Sequence, residues 1–194
     1  MKISQLKPAW VNDILRLIRN RRWEHNEDGD VLVGTMRFAG LHTHFAPDGL
    51  GWQEDKNLLT TEGLTHVLSV TVAGGSQNTT WYVAPYSGNI SPTASWTAAN
   101  FTATATEITG YSESTRVAFN ESAPAAGVTN NYSNPAVITA TGALSIWGAG
   151  ILSVSTKSAT SGVLLSAAKY AAVRSLAESG DTFGIKYQIT ATDV

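Results

Sequence analysis

The feature that most constrains the fold lies near the end of the chain. Phe183, Ile185, Tyr187 and Ile189 alternate with Gly184, Lys186, Gln188 and Thr190. A period of two puts the four apolar side chains on one face of an extended strand and the polar ones on the other, so a half-wet antiparallel sheet is expected. Further strand-like runs occur at 80–86, 100–108, 115–120, 136–141 and 143–155, separated by clusters of Gly, Asn, Pro and Ser. The spacing predicts a mainly β fold, an antiparallel β-sandwich or jelly-roll-like domain with short helices. One helix is expected after Thr60 or Thr61, carrying Leu64, Val67 and Leu68 and ending at Gly74-Gly75. Residues 167–178, rich in alanine, read as a short helix or an irregular crossover.

Charge divides the chain. Residues 1–56 hold 16 charged side chains, whereas the 138 residues from 57 to 194 hold 12. The expected organisation is a charged N-terminal arm, 1–56, followed by a β-rich domain, 57–194. Within the arm, Pro8 suits a first helical turn, and Trp10, Val11, Ile14, Leu15 and Ile18 recur at helical spacing, so a helix is expected near 8–21. A strand is expected near 31–38, and 41–52 reads as a loop because it is rich in His, Gly, Pro and Asp.

Several function classes are disfavoured by residue type alone. There is no cysteine, which removes disulfides and thiolate chemistry. A net charge of −2 argues against a general nucleic-acid binder. Asp13, Arg16 and Arg19 interrupt the apolar start, and the longest apolar run, near 144–152, is far too short to span a bilayer. Neither a leader nor a membrane partner is expected, and synthesis in a cytoplasm is.

Catalytic patterns are incomplete. Ser166-Ala-Ala-Lys169 has the spacing that lets a helix set a lysine one turn from a nucleophilic serine, but its companion elements are missing. Glu113 and Glu121 bracket a strand-like run without the spacing that marks a facing acid pair. His42-Thr-His44 puts two imidazoles on one side of an extended chain, with Asp48 within reach, as a zinc or nickel site would begin. Two histidines fall short of a ligand set, so neither metal nor cofactor is expected, and the chain reads as a non-enzyme.

Asn57-Leu-Leu-Thr-Thr-Glu-Gly-Leu64, Trp81-Tyr-Val-Ala-Pro-Tyr86, Tyr111-Ser-Glu-Ser-Thr-Arg116 and the closing Gly180–Ile189 run together resemble the small virion proteins of tailed bacteriophages. The likeness covers about residues 57–194. It implies a structural protein, most like a capsid decoration or cement protein: a small β-rich body that clusters on the head shell, often as a homotrimer, and touches the major capsid protein and copies of itself. Residence in the virion, at the capsid surface, follows from the same resemblance. Contact residues expected on this reading are Trp10, Ile14, Leu15, Ile18, Arg19 and Trp23 of the arm, with Arg116 from the matched motif, although an internal salt bridge is the plainer role for Arg116. The alternative is a tail or fibre module that binds a receptor or carbohydrate, stacking sugars on Trp81, Tyr82, Tyr86 and Trp96.

Overall fold

The structure, a computed structural model, describes residues 36–193. The expected helix near 8–21 and the contact residues Trp10, Ile14, Leu15, Ile18, Arg19 and Trp23 lie outside them. Phe38–Thr190 form one compact unit.

Ten described strands make two antiparallel sheets, as the alternation near the C-terminus requires. The strands are β1 (Met36–Phe45), β2 (Trp52–Lys56), β3 (Leu58–Leu59), β4 (Trp81–Tyr86), β5 (Val117–Phe119), β6 (Val128–Asn130), β7 (Ala136–Thr139), β8 (Leu144–Leu152), β9 (Leu164–Leu176) and β10 (Thr182–Asp193). The first sheet runs β2-β1-β10-β6, with β7 also pairing β10. The second runs β3-β9-β8-β4-β5. Ile138, Phe183, Ile185 and Tyr187 of the first sheet bury against Ile146, Ile151, Ala168 and Tyr170 of the second, which makes the arrangement a β-sandwich.

The second sheet is covered on its other face too. Thr97 caps a short helix, α2 (Ala98–Phe101), with Asn100 closing a reciprocal capping box, and a π-helical turn follows at Thr102–Thr106. Trp96, Phe101 and Ala105 from this layer bury Tyr86, Leu152, Leu164 and Ala167. The Tyr86 side chain lies across β8, and Phe101 packs down on it, because β8 carries glycine beneath them. A Cβ on Gly148 would collide with the Tyr86 hydroxyl, and one on Gly150 would stand 2.7 Å from the Phe101 ring.

The long helix α1 (Thr61–Val72) starts as expected, with Thr60 Oγ1 accepting from Gly63 N at 2.9 Å. Gly63 lies against the backbone of Leu165, where a side chain would not fit. Among the described residues no helix is long and apolar enough to cross a membrane.

Three expectations are corrected. Residues 100–108 are the α2 and π-turn layer and not a strand: the Thr97–Asn100 box starts a helix that alternating Thr and Ala then continue. The alanine-rich 167–178 lies mostly in β9, because β8 on one side and β3 on the other supply ladder partners that outweigh helix propensity. Residues 41–45 are strand and not loop, and they pair with 52–56. The compact unit therefore extends back to Phe38, and the composition break at Lys56 runs through it.

Candidate functional site

Two polar groupings in the interior are each built on an arginine that is itself fully buried. The first centres on His42 and His44, neighbours on the core-facing side of β1. Both are buried, at 0% and 1% exposure. Across the sandwich, β9 supplies Arg174, whose guanidinium grips Asp48 with two bonds, Nε to Oδ2 at 2.7 Å and Nη2 to Oδ1 at 2.9 Å. Nη2 also donates to Gly51 O at 2.7 Å, so Arg174 ties down the whole turn between β1 and β2. Arg174 Nη1 stands 3.3 Å from His44 Nδ1. A guanidinium can only donate, so Nδ1 accepts and the imidazole proton sits on Nε2, facing Asp55 Oδ2 at 2.9 Å. The His44 ring stacks on Tyr170, with centroids 3.6 Å apart.

Burial lowers the His44 pKa. The Asp55 hydrogen bond opposes that shift, and the Arg174 charge adds to it. Burial raises the Asp48 carboxyl, but the hydrogen bonds and charge of Arg174, together with the backbone amides of Leu50 and Ser175, outweigh it and hold the group below its usual range.

His42 differs. Its ring lies 4.7 Å from that of Tyr187, and neither ring nitrogen has a hydrogen-bond partner. Burial, helped by the charge of His44, pushes its pKa down to about 3. The two imidazoles thus do share one side of the strand, but they do not form a metal site. Both His44 nitrogens are engaged, an arginine stands where a cation would, and Asp48 is spent on that arginine. Among the described residues no group of three or more His, Asp or Glu side chains is placed to hold a metal ion.

The second grouping answers for Arg116. It is 1% exposed and makes a bidentate pair with Glu107, Nε to Oε1 at 2.8 Å and Nη2 to Oε2 at 2.7 Å. Its Nη1 donates to Val154 O at 2.9 Å, and Glu107 Oε2 accepts from Thr102 Oγ1 at 2.9 Å. Arg116 is therefore an internal clamp that fastens the π-turn to the loop after β8, and not a surface contact. Other carboxylates serve the backbone in the same way. Glu62 Oε2 accepts from Ala98 N at 2.8 Å and Leu164 N at 2.7 Å, and Glu113 accepts from Thr139 N at 3.1 Å. Ser166 and Lys169 lie on a strand and not on a helix. Ser166 Oγ bonds the Tyr187 hydroxyl at 2.9 Å, while Lys169 Nζ lies over Trp147.

The four aromatic residues expected to stack sugars do not form one platform. Tyr86 and Trp96 are core residues, packed edge to face, and the Tyr86 hydroxyl donates to Ala168 O at 2.9 Å. Trp81 and Tyr82 are half-buried neighbours on one strand, so they face opposite sides of the sheet. Beside α1 runs an open groove of about 460 Å³ with a mostly apolar lining, to which Thr61, Glu62, Thr65, His66, Ser69 and Val163 contribute. Glu62 is held by the two backbone amides described above, and His66 Nε2 pairs with Asn78 Nδ2 at 3.1 Å.

Two surface features were not read from the sequence. Along α1, Leu64, Leu68 and Val72 recur every four residues and are 39%, 62% and 78% exposed. On the outer face of the first sheet, Trp52 and Tyr132 are 46% and 38% exposed, with Lys186 beside both. The leucine spacing was visible, but only the packing reveals that this stripe faces outward. No protein-family model matches the chain, and no characterised protein is significantly similar to it in sequence.

Proposed function

We propose that the chain is a structural component of a tailed-phage particle, a decoration or cement protein that binds the capsid surface through the major capsid protein and copies of itself, as a homotrimer. The observation that carries this reading is the division between its interior and its surface. Buried arginines and carboxylates are spent on fastening loops, while α1 turns Leu64, Leu68 and Val72 outward in a stripe. Its sequence from Leu64 to Val72 carries no Asp, Glu, Lys or Arg. Apolar area left in water is the raw material of adhesion, worth roughly 1.5–3 kcal/mol for each large side chain fully buried. On a symmetric shell many such weak contacts add through avidity. The resemblance of residues 57–194 to virion proteins supplies the particle.

Co-sedimentation with shells tests it. The full chain should pellet with shells, and Leu68→Gln with Val72→Gln should reduce the bound fraction without altering the melting temperature. Deleting residues 1–22 should leave a folded β body that no longer pellets. Undiminished binding by both variants would remove the support for adhesion through these segments. The alternative, a sugar-binding tail module built on Trp81, Tyr82, Tyr86 and Trp96, is disfavoured by the burial of Tyr86 and Trp96.

A further inference from the structure

The β1–β2 hairpin is tied to the second half of β9 by side chains and not by a ladder. There β9 bulges away from β8: residues 170–173 lie opposite the single residue Trp147. On the other flank of β9, β3 reaches only Ser166 and Ala167. Beyond it, hairpin carboxylates take the place of a strand. Asp55 Oδ1 accepts from Ala171 N at 3.0 Å, and Asp48 Oδ2 accepts from Ser175 N at 3.4 Å. Arg174 adds its grip on Asp48 and on Gly51 O. Residues 47–56 contain no fully buried side chain, so no apolar anchor in the core secures them. Gly49 and Gly51 shape the turn with φ of +84° and +67°. A segment with so few buried contacts opens at a lower free energy than the body it lies on.

We propose that residues 47–56 form an acid-released strap: a proton on His44 Nδ1 unseats Arg174, and the turn and β2 lift off the edge of β9 while the sandwich stays folded. His44 is the hub because its two nitrogens serve the two anchors. Nε2–H faces Asp55 Oδ2 at 2.9 Å, a bond that survives protonation. Nδ1 accepts from Arg174 Nη1 at 3.3 Å, a bond that does not. Protonated, Nδ1 sets two donors and two like charges face to face in a buried place, where water screens neither. Whichever side chain moves, the guanidinium loses its seat on Asp48. Tyr170 and Arg174 of β9, Asp55 of β2, Asp48 of the turn and His42 of β1 face the ring, and β10 presents the uncharged Phe183. The two carboxylates favour the proton, but burial and the Arg174 charge outweigh them and lower the pKa. The closed strap therefore prefers neutral His44 and loses its hold as the pH falls below about 6.5. This inference stands apart from the particle assignment and uses none of its residues.

Hydrogen exchange of the full chain, followed by NMR at pH 7 and pH 5 and corrected for intrinsic rates, tests the proposal. The reporters are the Ala171 and Ser175 amides, whose acceptors are strap carboxylates, and the Arg174 Nε–H. Their opening constants should rise about tenfold from pH 7 to pH 5, and at pH 5 should exceed those of the β4 and β8 amides by about tenfold or more. His44→Gln keeps an acceptor for Arg174 and a donor for Asp55 but takes up no proton, so its reporters should open equally at the two pH values. His42→Phe should leave the response of the reporters in place. Asp48→Asn should open the strap at pH 7 at least as far as the parent opens at pH 5, with β4 and β8 still protected. In the parent, the His44 ring should titrate with the same midpoint as strap opening. The proposal is overturned if the reporters share one opening constant with β4 and β8, if their opening does not rise towards pH 5, if His44→Gln keeps the parent's response, or if the two midpoints differ.

Discussion

Acidification from pH 7 to pH 5 should destabilise the fold by about 2 kcal/mol through His42 alone. The ring is wholly buried, both nitrogens lack partners, and Tyr187, Tyr170 and His44 surround it. Its pKa falls from 6.5 to about 3, first because burial penalises the imidazolium and then because of the His44 charge. A histidine with a depressed folded-state pKa takes up its proton more readily in the unfolded chain. Its contribution is therefore full above pH 6.5 and is lost as the pH falls towards 3. Between those limits the slope approaches about 1.4 kcal/mol per pH unit, which gives ~2 kcal/mol by pH 5 and ~3 by pH 4. Burial lowers His44 as well, so its contribution has the same sign. Asp48, whose pKa is depressed, loses its contribution only at lower pH, outside this window. Urea unfolding at pH 7, 6, 5 and 4 measures the loss directly. His42→Phe should keep or raise stability at pH 7, since it deletes two unpaired nitrogens, and should remove most of the decline to pH 5. If His42→Phe lost as much stability between pH 7 and pH 5 as the parent, the assignment to His42 would be refuted.

Three further substitutions probe the interior. Glu107→Gln leaves the buried Arg116 guanidinium without its counter-charge and should cost about 3–5 kcal/mol in urea unfolding, whereas the double change to methionine should cost less than the two single losses combined. Asn131→Ala removes the side chain that accepts from Tyr187 N at 2.7 Å and donates to Ile185 O at 3.2 Å; the ladder gap between β6 and β7 should then open, with a loss of about 1–3 kcal/mol and faster amide exchange at Tyr187. Gly148→Ala drives a methyl group into the Tyr86 hydroxyl and should cost about 1–3 kcal/mol, visible as a lowered melting temperature and an altered near-ultraviolet tyrosine signal.

Legibility in the sequence followed which faces are wet. β10 could be read because one of its faces meets solvent and the other meets the core. β9 could not, because its first five residues, 164–168, are buried on both faces, and its alanines there are small so that Phe101 and the opposite sheet can approach. In β1 the usual polarity is inverted: His42 and His44 point inward while Leu41, Thr43 and Phe45 are only half-buried. A period-two pattern was present, but its polar members were the buried ones. The Thr60 cap announced α1. The Thr97–Asn100 box was equally local and was outweighed by the strand-like run of threonines that follows it.

The site shows the same division between local and distant information. His42 and His44 stood out by their spacing, yet their chemistry is decided by Arg174, which lies 130 residues from His44. Arg116 could be read as an internal salt bridge, but its acceptor, Glu107, emerged only once the π-turn folded back. Trp52, Tyr132 and Lys186 carried no motif at all, since two strands and the turn after β6 meet only in the folded chain.

The proposed role as a capsid decoration protein fixes a copy number. Quantitative mass spectrometry of purified phage particles that carry its gene should find the chain in a fixed, near-stoichiometric ratio to the major capsid protein. Its absence from particles, or a copy number as low as that of a tail-tip component, would contradict the assignment.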